Sequence, residues 1–332
     1  MSHLIKEVFI HYEEASKIRG LMPYLNDIDQ DNALLQSMPV CGDVLREALR
    51  EEKLNLIQSF KENDNEAALL IRGLPLDKTL PPTPYHEKLA LQSMPLAVAV
   101  NLGLYDLIRI NPVSYRGENN GRLFRHVIPS EKGMNEKSSH GSMYTLGMHV
   151  DNCHLPLLPE INSKSLSASP EYLSLLGIRC DLNVSTNVSI LDDALKLLDS
   201  STIEQLKKPE FTLKMPDSFM SAKQYELPIL VQDENEVYYC RFDKEYTIPK
   251  TSRAQQAFDK FGEALLSKRA LNRILLQSGD FLIFKNQRVT HARKRFVPRF
   301  DGTDRWLLRL FGLSSLSQMT PVDKEKPYCM VA

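Results

Sequence analysis

The sequence is short of several things whose absence narrows what the chain can be. Nowhere in its 332 residues is there an uninterrupted apolar run long enough to span a bilayer, and the first residues, Met-Ser-His-Leu-Ile-Lys-Glu, lack a basic-then-apolar secretory pattern. A surplus of charge is missing too: 41 basic residues stand against 42 acidic ones, so no global field attracts nucleic acid or an anionic membrane. The five cysteines, Cys41, Cys153, Cys180, Cys240 and Cys329, are odd in number and far apart, which fits neither a disulfide framework nor a zinc cluster. Internal repeats and long Pro/Gly linkers are absent as well. The expectation is a soluble, cytoplasmic protein with reduced thiols and a small-molecule partner, interacting with neither nucleic acid nor membrane. Homo-oligomerisation is left open.

What is present changes in texture along the chain. From Leu4 to about Phe60 apolar residues recur at three- and four-residue spacing, as in Val44-Leu45, Ala48-Leu49, Leu56-Ile57 and Phe60, which predicts amphipathic helices. Ala67 to Ile71 reads as a buried strand, and a further helix is expected from about Glu87 to Leu104. After Ile108 short strands broken by turns take over. Asn120-Gly121 predicts a hairpin between Val113-Tyr115 and Leu123-Ile128. Gly133 to Gly141 reads as a flexible loop, and Pro156 to Pro170 as a loop long enough to close over a site. Strands are expected at Leu173–Cys180, Phe211–Leu213, Leu227–Val231, Val237–Phe242, Phe281–Phe284, Val289–Phe296 and Trp306–Phe311, with helices at Ile190–Leu198 and Ala254–Ala270. Helices first and antiparallel strands afterwards argue for an all-β core with appended helices.

His149-Val150-Asp151 places an imidazole and a carboxylate two residues apart, on one face if the segment is extended. By itself the tripeptide reads as a surface strand with a hydrogen-bonded pair. His291, in Arg288-Val-Thr-His-Ala-Arg293, supplies a second imidazole, and two histidines with one carboxylate form the facial triad of a mononuclear iron(II) oxygenase. Arg305 and Arg309 lie on one side of the last strand, roughly 13 Å apart, with Trp306, Leu308 and Leu310 on the other. A guanidinium facing a metal ligand suits a dicarboxylate; otherwise the arginines face solvent. The strands carrying His291 and Arg305 could pair as antiparallel neighbours. The run Arg293-Lys-Arg295 with Arg299 reads as a solvated edge. Asp243 and Glu245 are ordinary strand-end acids unless that end opens on the metal, where they would bind a cation.

With these residues in view, the sequence resembles the clavaminate synthase-like iron(II)/2-oxoglutarate oxygenases, and most closely the branch that hydroxylates free basic amino acids. The resemblance rests on His149-x-Asp151, on Ser169-Pro-Glu-Tyr-Leu-Ser-Leu-Leu-Gly-Ile-Arg179, on Gly279-Asp-Phe-Leu-Ile-Phe-Lys-Asn286, and on the stretch from His291 to Arg309. It implies a mainly β protein with flanking helices (α+β) and a double-stranded β-helix, or jelly-roll, core. The expected layout is one oxygenase domain over 1–332, with a mainly helical elaboration at 1–66, the jelly-roll core with inserted loops and helices at 67–312 and a tail at 313–332.

The resemblance further implies Fe(II) on His149, Asp151 and His291, with 2-oxoglutarate as cosubstrate and O2 as oxidant. Arg305 would hold the far carboxylate of 2-oxoglutarate with help from Thr186. Arg309 would grip the substrate α-carboxylate, Glu118 the α-ammonium, and Asp243 with Glu245 a side-chain cation. Related halogenases carry a small residue where this chain has Asp151, so hydroxylation is implied over halogenation. The leading expectation is hydroxylation of an unactivated C–H of L-lysine. The alternatives are L-arginine, a neutral amino acid or a peptide, and, from another class, a non-catalytic jelly-roll metal-binding protein.

Overall fold

The computed structural model describes residues 2–85, 91–130, 142–161, 167–215, 223–317 and 319–332. Its core is two β-sheets packed face to face, as a mainly antiparallel jelly roll requires. The major sheet runs Ile5–Phe9, Ala68–Arg72, Phe281–Lys285, Tyr172–Arg179, Trp306–Leu313, Asn111–Tyr115, Lys326–Met330 and Pro321–Asp323, with Arg125–Val127 also on Trp306–Leu313. The minor sheet runs Leu271–Ile274, Thr186–Ile190, Val289–Arg293 and Leu146–His149.

Period-two alternation sorts side chains between the layers. From Trp306–Leu313, Leu307 and Phe311 enter the inter-sheet core with Val188, Ile190 and Val289, whereas Trp306, Leu308 and Leu310 pack outward under the helices. In the minor sheet Met148 and Ala292, which alternate with His149 and His291, face away into a third cluster built on Phe242, Phe258 and Phe261. Both histidines are therefore turned into the space between the sheets.

Outside the major sheet, helices Asp31–Ala48 and Pro95–Ile108 cross closely at glycines. A Cβ built on Gly103 would lie 2.8 Å from the Cys41 carbonyl oxygen and 2.9 Å from Leu45 Cδ1. Gly103→Ala is expected to cost about 1–3 kcal/mol through overpacking; urea unfolding with an unchanged midpoint would contradict that account.

Several expectations are corrected. The N-terminal region is mainly helical, but its first residues, Ile5–Phe9, form a strand parallel to Ala68–Arg72 where the helical pattern was read from Leu4. The C-terminal residues are more than a tail, since Lys326–Met330 pairs with Asn111–Tyr115. The Asn120-Gly121 hairpin does not form: Asn111–Tyr115 and Arg125–Val127 lie end to end on the same neighbour, Trp306–Leu313. The turn between them, with Asn120 at φ 54°, is an outward excursion whose first residues carry Glu118 into the protein. The strands bearing His291 and Arg305 are not paired either; they belong to opposite sheets and face each other across the core. Leu271–Ile274 is a strand and Ser200–Leu206 a helix, both missed. The Gly133–Gly141 loop and residues 162–166 of the expected lid lie outside the described residues.

Candidate active site

The strand Leu146–His149 ends where the cluster begins. His149 pairs with His291 in the minor sheet and, on its other side, forms an isolated bridge with Asp243, backed by a 2.8 Å bond from Val150 N–H to the Phe242 carbonyl. The two imidazole rings stand 4.1 Å apart between centroids, and His149 Nε2 lies 3.3 Å from Asp151 Oδ1. Among the described residues, His149, Asp151 and His291 are the one group whose ligand atoms converge as a metal site requires, all within 4.8 Å of one another.

The donor set fits a divalent iron. His149 Nδ1 donates to the Gly147 carbonyl at 2.9 Å, so Nε2 is the ring nitrogen that faces the cluster. His291 Nδ1 is buried with no protein partner, an orphaned polar atom of the kind a ligand satisfies. Burial, together with the neighbouring His149, pushes His291 down to about 3, so it is neutral. Burial alone would lower His149 as well, but the hydrogen bond and charge of Asp151 outweigh it and raise the group. Asp151 is held well below the usual carboxylate range: burial opposes this, and the charge of Arg309 with the histidine contacts overcomes it.

On the Asp151 side lies a buried ionic network. Arg309 Nη1 donates to Asp151 Oδ2 at 3.0 Å, and its Nη2 donates to Glu118. Glu118 also accepts from Arg125 Nη1 at 3.1 Å and Asn152 Nδ2 at 3.2 Å. Glu118, Arg125 and Arg309 are each under a tenth exposed, so Arg309 faces inward and the solvent-facing alternative falls. Such groups stay charged in the interior only because they are paired.

Toward the other end of Trp306–Leu313, Arg305 Nη2 donates to Thr186 Oγ1 at 2.7 Å across the two sheets. Arg305 and Arg293 line one small recess with Val127, Ile128, Pro129 and Phe296. Burial lowers both guanidiniums to about 10, and Arg293 adds to the effect on Arg305. Arg293 is thus no solvated edge residue, unlike exposed Lys294 and Arg295. It follows His291 by two in its strand and so shares the inward face.

Asp243 and Glu245 part company. Asp243 is buried, and its Oδ1 accepts the backbone N–H groups of Glu245 at 2.8 Å and Tyr246 at 3.2 Å. No cationic side chain among the described residues pairs with it, and burial pushes it up to about 6 against the pull of His149 and those two N–H groups. The Glu245 side chain is exposed.

Sequence reasoning missed Arg125, Asn152, Arg293 and Asn286. Asn152 directly follows Asp151, and Arg293 shares the face of His291, so both carried a positional signal. Arg125 carried none, because its approach depends on the excursion at Asn119–Gly121.

The described flanks of the expected lid are tied down. Leu158 N–H donates to Gln287 Oε1 at 2.9 Å, Ser169 N–H to the Pro156 carbonyl at 2.8 Å, and fully buried Arg241 pairs with Glu160.

Comparison with known proteins agrees with this geometry. The profile of the taurine catabolism dioxygenase TauD, TfdA family matches residues 222–311, the stretch carrying Asp243, His291, Arg305 and Arg309. L-asparagine oxygenase of Streptomyces coelicolor is 30% identical over 275 residues, covering 79% of this chain and 77% of that one. L-lysine 3-hydroxylase of Catenulispora acidiphila is 28% identical over 269 residues, covering 77% and 70%. Among solved structures, asparagine oxygenase in complex with Fe(II), 2S,3S-3-hydroxyasparagine and succinate superposes with a TM-score of 0.83 at 25% identity, covering 98% of this chain and 99% of that one. The non-heme iron oxygenase OrfP in complex with Fe and alpha-ketoglutaric acid gives 0.78 at 26% identity, covering 94% and 96%.

Proposed function

The chain belongs to the TauD/TfdA family of Fe(II)- and 2-oxoglutarate-dependent oxygenases, and from that premise we propose that it hydroxylates the side chain of a free L-amino acid, with L-lysine the leading substrate. The protein is a 2-oxoglutarate-dependent dioxygenase, with Fe(II) and 2-oxoglutarate as its cofactor and cosubstrate. His149, Asp151 and His291 would hold the iron, which with 2-oxoglutarate and O2 supplies the oxidising power for inserting oxygen into an unactivated C–H bond, releasing succinate and CO2.

The chain's own contribution is position and charge. Arg305, oriented by Thr186, would take the far carboxylate of 2-oxoglutarate. Arg309 would take the α-carboxylate of the amino acid by its planar fork, and Glu118 the α-ammonium. These two residues already pair with each other, so a zwitterion replaces one ion pair by two. Phe284, whose ring centroid is 5.2 Å from that of His291, and the apolar inter-sheet core exclude water from the reacting region.

The observation that carries the substrate reading is the location of Asp243. It is a buried carboxylate with no cationic partner among the described residues, on the His149 side of the cluster, whereas Arg309 and Glu118 sit on the Asp151 side. An amino acid held at its head by Arg309 and Glu118 and at its tail by Asp243 would span the ligands. The ε-ammonium of lysine meets that requirement. A second reading, L-asparagine, is favoured by there being one buried tail carboxylate instead of two, since a carboxamide N–H can also donate to Asp243.

The test is substrate-dependent succinate formation over a panel of free L-amino acids, with mass spectrometry of the product for one added oxygen. Lysine should stimulate turnover most. Asp243→Ala is expected to lower kcat/KM for lysine by roughly 10- to 100-fold, the worth of a charge-assisted hydrogen bond, with 2-oxoglutarate affinity unchanged. Asp243→Asn should impair lysine as severely but spare asparagine. Normal lysine hydroxylation by Asp243→Ala would sink the tail role, and stimulation by peptides alone would sink the free amino acid reading.

A further inference from the structure

Asp151 has left the sheet. The strand ends at His149, Asp151 lies in a turn, and Asn152 at φ 53° sends the chain away, so no neighbouring strand holds the Asp151 peptide groups. A buried backbone N–H and C=O still need partners. Both find them in one side chain: the Asn286 carboxamide accepts from the Asp151 N–H at 3.2 Å and donates to the Asp151 carbonyl at 3.1 Å and the Pro170 carbonyl at 2.9 Å. Ser169 Oγ adds a 3.2 Å bond to the same Asp151 carbonyl.

We propose that Asn286 is a positioning residue for the metal ligand Asp151, acting as a one-residue substitute for the missing strand. A carboxamide is the one uncharged side-chain group that offers an acceptor and two donors in a plane, and all three are used here. Fixing both peptide groups of Asp151 fixes its Cα–Cβ direction; the Arg309 contact then selects the carboxylate orientation. Asn286 is itself immobilised, being fully buried with its N–H on the Glu171 carbonyl at 2.7 Å. It sits in the turn between Phe281–Lys285 and Val289–Arg293, five residues before His291. His149 and His291 are already registered by the sheet, so this one amide sets where Asp151 stands relative to both.

The inference rests on the iron-site reading, and its test separates the two. The metal-free protein would be titrated anaerobically with Co(II), following affinity and the visible ligand-field bands. Wild type should bind one equivalent. Asn286→Ala should bind about 10- to 100-fold more weakly, the usual effect of removing a group that orients a metal ligand, with altered bands. Gln287→Ala is the matched control: Gln287 is equally buried in the same turn and bonds the Ser169 carbonyl and Leu158 N–H, but does not touch Asp151. It should lower the Tm comparably while leaving Co(II) affinity and bands as in wild type. If Asn286→Ala does not fold, Ser169→Ala, which deletes one bond to Asp151, should weaken Co(II) by a few fold. Unchanged Co(II) binding in the Asn286 variant, or in Ser169→Ala where that variant must substitute, or equal weakening in Gln287→Ala, would overturn the positioning role. Failure of wild type itself to bind Co(II) would overturn the iron site and this inference with it.

Discussion

Asp151→Ala is expected to reduce hydroxylation to background and to weaken Co(II) or Mn(II) binding by well over the roughly 100-fold that loss of an outer partner costs. As a ligand Asp151 would supply the one negative charge beside two imidazoles and a dication. The deletion also frees Arg309 Nη1, now 3.0 Å from Asp151 Oδ2, and thereby adds unpaired positive charge beside the metal position. Both changes disfavour a cation, and neither is relieved by rearrangement, since Arg309 is buried and already committed to Glu118 through Nη2. Metal titration of the purified variant checks this. Binding within a few fold of wild type would mean that the carboxylate is not a ligand.

Arg305→Met should raise the KM for 2-oxoglutarate by a few hundredfold to a few thousandfold, about 3–5 kcal/mol for removing one partner of a buried charge pair. Stability should move the other way. Burial and the neighbouring Arg293 lower Arg305 to about 10 in the folded protein, so at neutral pH its charge is more costly folded than unfolded. The sign follows from linkage: a base with a depressed folded pKa destabilises the fold at every pH below that value, and the cost fades only as pH rises through it. A methionine of similar length removes that cost, so the ligand-free Tm should hold or rise while the stabilisation conferred by saturating 2-oxoglutarate disappears. A lower ligand-free Tm with unchanged KM would assign Arg305 a structural role instead.

Much of the site was legible because a strand's period is short and rigid. Arg305 with Arg309 and the opposing faces of Trp306–Leu313 follow from alternation alone, and the structure keeps that alternation, whereas Asp151 meets His149 from a turn beyond the end of its strand. Pairing was less legible. The His291 and Arg305 strands are separated by a turn-rich stretch that suits a hairpin, yet they enter different sheets, where Val289–Arg293 pairs with Thr186–Ile190 and Trp306–Leu313 with Tyr172–Arg179. The expected Asn120-Gly121 hairpin failed for a related reason, as both flanking segments pair with the same long strand and not with each other.

Sequence by itself determined the chemical types at the centre, two imidazoles, a carboxylate and two arginines on one strand face, because these depend on residue identity and short-range spacing. Tertiary structure alone decided which charges meet. Arg125 and Asn152 converge on Glu118, Arg293 joins Arg305 in one recess, Asp243 is buried while Glu245 is exposed, and Asn286 reaches Asp151 from 135 residues away. Those encounters are set by how two sheets stack and where loops cross. No local periodicity encodes them, whereas the cost of burying an unpaired polar group enforces them once the sheets close.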